Sequence, residues 1–260
     1  MLIDAHLHLQ DIQVKGVLTE ILARAWDFGV CRFYCNSTQF SNWSEVEEIE
    51  RLDDRIFPFF GVHPWYAEEV QPGWDSELEH FLRNRNAGVG EIGLDKARKD
   101  IDFARQTQIF HRQLEIAGHL AKPFSVHCVR AWGDLTNILK SNLTPRSRFV
   151  MHSYQGSPEM LREFLDLGAY VSFSWKTLQR ETESMQGLVR LVPLDRLLLE
   201  TDFPYTGSHQ LEDDVSAMKY FECLRGVYAL AALAKGIDQD TLEKAVWANG
   251  TAFLFGTLAR

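Results

Sequence analysis

Short β-forming runs and stretches of helical periodicity alternate along the whole chain, and this alternation narrows the fold more than any single motif does. The β-forming runs fall at 1–9, 30–35, 56–62, 87–92, 123–127, 148–152, 169–174 and 196–200. Between them, apolar residues recur at helical spacing over 17–26, 45–52, 76–85, 103–120, 135–139, 158–167 and 185–191, and two further helical stretches at 215–235 and 242–255 close the chain. Gly29 and Gly236 read as helix stops and Pro158 as a first-turn proline. Strands that alternate with helices build parallel βαβ units. Eight of them fit a (β/α)₈ TIM barrel better than an open doubly wound sheet. No Pro/Gly/Ser-rich linker, charge block or low-complexity stretch divides the chain, so residues 1–260 are expected to form one domain.

In such a barrel the C-terminal ends of the strands open into one shared mouth. The first run, M-L-I-D-A-H-L-H-L, places Leu2, Asp4, His6 and His8 on one face and Ile3, Ala5, Leu7 and Leu9 on the other. Two imidazoles on adjacent same-face positions form a chelate for a borderline divalent cation. The other strand ends supply partners: His63, Glu91, His127, His152 and Asp202. Any one of them has an ordinary alternative as a packed histidine, a salt-bridged carboxylate or a turn cap; their coincidence at strand ends points to a site. Trp65, Trp132 and Trp175 also follow strand ends and are candidates either to wall a pocket or to pack on helices.

Four of these histidines and two carboxylates can hold two divalent ions if one carboxylate bridges. A carboxylate offers two oxygens where a neutral imidazole offers one lone pair, so Glu91, from the middle of the strand series, is the expected bridge. Two ions about 3.5–4 Å apart activate a water and polarise a phosphoryl or carbonyl oxygen. Asp202 can bind one ion and accept the proton of the attacking water. The residues alone leave open Zn²⁺, Mn²⁺ or Mg²⁺, and a phosphoesterase, an amide or lactone hydrolase, or a metal-binding scaffold without catalysis.

Composition limits the partners. A net charge of −9 argues against gripping a polyanion by broad surface charge. The 45% hydrophobic content is ordinary for a soluble protein, and no apolar stretch approaches the length of a membrane span. Four cysteines without a CxxC pair read as reduced thiols. The expectation is a cytoplasmic protein with no signal peptide, no membrane partner and no obligate protein partner.

Several motifs together resemble the TatD family of metal-dependent hydrolases, within the amidohydrolase-like superfamily: D-A-H-L-H at Asp4, G-V-H-P at Gly61, G-E-I-G-L-D at Gly90 and E-T-D-F-P at Glu200. Weaker matches are V-H-C at Val126, H-S-Y-Q-G-S at His152 and N-G-T-A-F-L-F-G at Asn249. The resemblance covers nearly the full length. It implies one ion among His6, His8, Glu91 and Asp202, a second among Glu91, His127 and His152, and a substrate contact from His63. The implied activity is hydrolysis of phosphoesters, as in a deoxyribonuclease, on DNA ends or a smaller phosphoester. Two family features are absent. The place of an arginine two residues beyond the fifth-strand histidine is taken by Val129, with Arg130 beside it, and an Arg-Asn-Glu-Pro-like segment has no counterpart between Tyr205 and Asp214. With Glu212, Asp213 and Asp214 expected near the mouth, long duplex DNA is expected to be a poor substrate, unless Arg130, Lys176 and Arg180 form a local basic rim.

Overall fold

All eight expected strands are present in a computed structural model of the chain, which describes residues 1–12, 16–205 and 216–256. They are β1 (Leu2–Leu7), β2 (Val30–Asn36), β3 (Ile56–Phe60), β4 (Gly88–Asp95), β5 (Phe124–Val129), β6 (Phe149–Met151), β7 (Tyr170–Ser174) and β8 (Leu197–Glu200). They lie side by side in chain order, each parallel to the next. Between them run α1 (Val17–Arg24), α2 (Trp43–Glu50), α3 (Trp74–Arg83), α4 (Phe103–His119), α5 (Trp132–Asn142), α6 (Pro158–Asp166), α7 (Trp175–Leu178) and α8 (Glu183–Leu191). Two helices, α9 (Ala217–Lys235) and α10 (Gln239–Phe255), follow β8. This is the expected (β/α)₈ barrel. The one-turn α7 was not anticipated, because four residues carry too little periodicity to register.

Local chemistry accounts for the helix ends. Ser157 accepts a hydrogen bond from the Met160 amide in front of Pro158, and Asp238 accepts one from Thr241. Gly236 stops α9 in the left-handed region at φ 66°. Gly73, in the left-handed region at φ 88°, takes the capping position of α3, and Asp75 lies inside the first turn.

Strand β1 departs from the two-faced strand the alternation suggested. Every one of its residues is buried, as parallel strands covered on both sides require. Asp4 does not join the histidines. Its carboxylate closes the barrel, with Oδ1 accepting the Thr201 amide at 2.9 Å and Oδ2 the Thr201 hydroxyl at 2.6 Å. The seam continues upward: the Asp202 amide donates to the His6 carbonyl and the His8 amide to that of Phe203. Barrel closure therefore brings the two histidines of β1 beside Asp202.

Helix α10 plugs the opposite end. Its Phe253 meets Tyr34 of β2, Phe59 of β3 and Tyr170 of β7. Asn249 donates to the carbonyls of Leu194 and Leu197 at the entry to β8. The closing N-G-T-A-F motif is thus a structural plug, far from the chemistry.

Candidate metal centre

The histidines converge on one carboxylate. Glu91, on β4 and only 3% exposed, has His127 Nδ1 at 2.9 Å, His152 Nε2 at 3.3 Å and His63 Nε2 at 3.5 Å from its Oε1. Its Oε2 has His6 Nε2 at 3.2 Å and His8 Nε2 at 3.6 Å. Asp202 Oδ1 stands 3.5 Å from the same nitrogen of His8. Three groups place ligand atoms close enough to hold an ion: His6 with His8 and Glu91, His6 with His152 and Asp202, and His63 with Glu91 and His127. All seven sequence candidates are therefore brought together at one mouth.

Glycine in G-E-I-G-L-D has a local cause. Gly93 sits at φ 149°, and a Cβ there would lie 2.0 Å from the carbonyl oxygen of His127 on the paired strand. Only glycine lets β4 approach β5 this closely, and that approach sets Glu91 beside His127. Asp202 itself lies just past β8 in the left-handed region at φ 60°, which aspartate tolerates better than most residues.

Four of the histidines turn one ring nitrogen inward and rest the other on a partner. His6 Nδ1 meets Ser125 Oγ at 3.0 Å, and His8 Nδ1 donates to the Asn36 carbonyl at 2.9 Å. His127 Nε2 lies 3.3 Å from Asp95 Oδ2, and His152 Nδ1 lies 2.8 Å from Glu200 Oε1. Such partners fix ring orientation and leave the inward lone pair for a cation. Sequence reasoning assigned none of these partners a role. Asp95 and Glu200 were in view, as the last residue of G-E-I-G-L-D and the first of E-T-D; Ser125 is two residues before His127, on the same strand face.

His63 is arranged differently. Its Nδ1 accepts the Trp65 amide at 3.2 Å, and burial holds the ring well below the ordinary imidazole range, hence neutral. A neutral ring that accepts at Nδ1 carries its proton on Nε2. The inward nitrogen of His63 is therefore a donor.

The charges interlock. Burial opposes ionisation of Glu91, but the surrounding imidazoles and the hydrogen bond from His127 outweigh that and hold it well below the usual carboxylate range. Burial likewise opposes charge on His8, yet the bond to Asp202 and the field of Glu91 lift it to about 9. His152, between Glu200 and Glu91, is raised well above the ordinary value against the cost of its burial. Asp202 is held low by His8 and His152 in spite of burial.

Above the carboxylate opens a cleft of about 770 Å³, its open rim included. Trp65, Tyr66 and Tyr205 line one part of it, and Val129, Gln155 and Lys176 another. Trp65 donates its indole N–H to Asp95 at 2.7 Å, and Tyr205 its hydroxyl to Asp11 at 2.8 Å. Of the three tryptophans singled out, only Trp65 faces the cleft; Trp132 packs on Tyr154 and Phe164, and Trp175 on Gly226 of α9. Arg130 and Arg180 are exposed and do not line it. Ser208, His209 and the acidic Glu212, Asp213 and Asp214 lie outside the described residues.

A parallel (β/α)₈ barrel with imidazoles and carboxylates gathered at the C-terminal ends of its strands is the build of a metal-dependent hydrolase. Within that class the chain belongs to the TatD related DNase family, whose model matches residues 3–255. It is 30% identical over 207 residues to the 3'-5' ssDNA/RNA exonuclease TatD of Edwardsiella piscicida, covering 78% of this chain and 80% of that protein. It is also 30% identical to the metal-dependent hydrolase YabD of Bacillus subtilis, over 85% of this chain and 88% of the relative. Among solved structures, the TatD homologue YJJV of Escherichia coli superposes with a TM-score of 0.87 at 26% identity, covering 99% and 98% of the two chains.

Proposed function

We propose that residues 1–260 form one two-metal phosphoesterase unit, with one ion among His6, His8, Glu91 and Asp202 and the other among Glu91, His127 and His152. The observation that carries this reading is the division at Glu91, whose Oε2 faces His6 and His8 while its Oε1 faces His127 and His152. The donor set fits: buried, ionised carboxylates and oriented imidazoles suit Zn²⁺ or Mn²⁺, and less well Mg²⁺, which prefers oxygen. Bound there, two ions would supply Lewis-acid polarisation of a phosphoryl oxygen and a lowered pKa for water.

The chain's own residues do the rest. Asp202, kept ionised, accepts the proton of the attacking water at a carboxylate oxygen. His63 donates its Nε2 proton to a substrate oxygen rather than ligating, because its Nδ1 is taken by the Trp65 amide. Glu91 and the orienting partners Ser125, Asp95 and Glu200 hold the imidazoles in place. The substrate is a nucleic-acid end or a smaller phosphoester; the name of the Edwardsiella relative and the aromatic part of the cleft both favour a nucleotide end. The free cysteines are consistent with a reducing compartment such as the cytoplasm.

Elemental analysis combined with a panel of a single-stranded oligonucleotide, a phosphomonoester and a lactone tests this. Two ions per chain and phosphodiester turnover are expected, with Glu91→Ala emptying both positions. Full two-metal occupancy in that variant, or turnover of the lactone alone, would overturn the proposal.

A further inference from the structure

Among the described residues, the cleft is lined by one lysine that the chemistry above does not use. Lys176 is the second residue of α7, just past the C-terminal end of β7, and is only 9% exposed. It lines the cleft beside His152, Ser153, Gln155 and Asp202, and among the described lining residues it is the only lysine or arginine. Burying an ammonium group is costly, and its desolvation lowers the Lys176 pKa while the Asp202 charge works against that loss.

The lysine is held there by its neighbours. Trp175 is wedged against Gly226 of α9, where a Cβ would lie 2.2 Å from the indole ring. Thr177 donates its hydroxyl to the Ser174 carbonyl at 2.8 Å. With the residues on either side fixed, α7 has little freedom to carry Lys176 out of the mouth. On β5 the corresponding space is apolar: Val129 lines the cleft, and Arg130 beside it is exposed.

We propose that Lys176 is the anion-binding group of this site, engaging the non-bridging oxygens of a substrate phosphoryl group and supplying from β7 the positive charge that Val129 does not supply from β5. The inference rests on the phosphoesterase reading for its substrate, and it assigns selectivity to a residue outside the ligand set. An ammonium is a point-charge partner for phosphate, and a hydrogen bond to a charged group is worth enough to change affinity roughly 10- to 100-fold.

The test uses metal-loaded protein and two readouts, calorimetric binding of inorganic phosphate and the steady-state kinetics of a single-stranded oligonucleotide. Lys176→Met should weaken phosphate binding and raise KM by roughly 10- to 100-fold, with kcat moving far less. Lys176→Arg should restore most of both, and metal content and Tm should stay near the parent's. Unchanged phosphate affinity in Lys176→Met with both ions present would overturn the proposal. So would a loss accompanied by lost metal or a collapsed Tm, which marks a structural lysine. If the parent cleaves no phosphoester at all, the phosphoesterase reading fails, while the phosphate titration still decides the role of Lys176.

Discussion

A buried carboxylate facing five imidazole nitrogens is an arrangement that folding alone has no reason to build. Breaking or under-compensating such a cluster costs several kcal/mol, roughly 3–5 for a buried pair. It makes sense when cations complete it. Metal and proton then compete for the same nitrogens. In the metal-free protein His8 is raised to about 9 and His152 lies above its ordinary range, so both carry protons at neutral pH. As ligands of the proposed centre each must lose its proton, so metal binding is expected to release protons and affinity to rise with pH until His8 titrates near 9. Chelator-competition titrations from pH 6.5 upward should show affinity climbing by about tenfold per pH unit for each proton displaced. A flat profile would remove the competition from the account. At Asp202, replacement by asparagine keeps an oxygen donor and removes the proposed proton acceptor. Partial metal retention with turnover reduced about 10²–10⁴-fold is expected, by metal analysis and single-turnover assay. Near-normal turnover with metal in place would hand the proton to another group.

Elements position these residues through backbone contacts that no hydrophobic pattern encodes. Strand β4 carries Glu91 and Asp95 on one face, four residues apart, so that one faces the cluster and the other braces His127. Its approach to β5 depends on Gly93. Gly93→Ala should lower stability by about 3 kcal/mol or more, because the new Cβ meets a carbonyl and the backbone angle is one L-residues avoid. Gly118 on α4 is the contrasting case: a Cβ there meets nothing within 4 Å, and Gly118→Ala should stabilise by about 0.4–1 kcal/mol. Denaturant melts of the two variants measure both signs. Equal effects would mean that the close contact between β4 and β5 is not what constrains position 93.

At the scale of the molecule, charge decides which phosphoesters can reach the mouth. The chain carries a net −9, and the described cleft offers one buried lysine. Duplex binding needs several cations, each adding about 0.9 to the salt slope. Cleavage of long duplex DNA should therefore be slow, and cleavage of a short single strand should depend on salt with a slope of only about 1–2. Efficient duplex degradation that falls steeply with added salt would point to a basic surface elsewhere on the protein.

The barrel and the metal-ligating types were legible because each is a local property. Alternating apolar periods mark βα units, and those units place a histidine or carboxylate at the end of nearly every strand. The motifs D-A-H-L-H, G-V-H-P, G-E-I-G-L-D, V-H-C, H-S-Y-Q-G-S and E-T-D were enough to find the members of the cluster. Their partners were not legible, since which ring nitrogen faces inward depends on groups from other strands: Ser125 for His6, the Asn36 carbonyl for His8, Glu200 for His152. Asp4 shares a strand face with the histidines, yet closure of the barrel at Thr201 takes it away from them. Lys176 was one of three basic residues with equal standing in the sequence, and the packing of Trp175 on α9 sets it in the cleft while Arg130 and Arg180 stay at the surface. Residue type and period follow from the chain itself; proton positions, the destination of a shared carboxylate and the direction of a long side chain follow from contacts between residues up to 197 positions apart, which exist only once the barrel has closed.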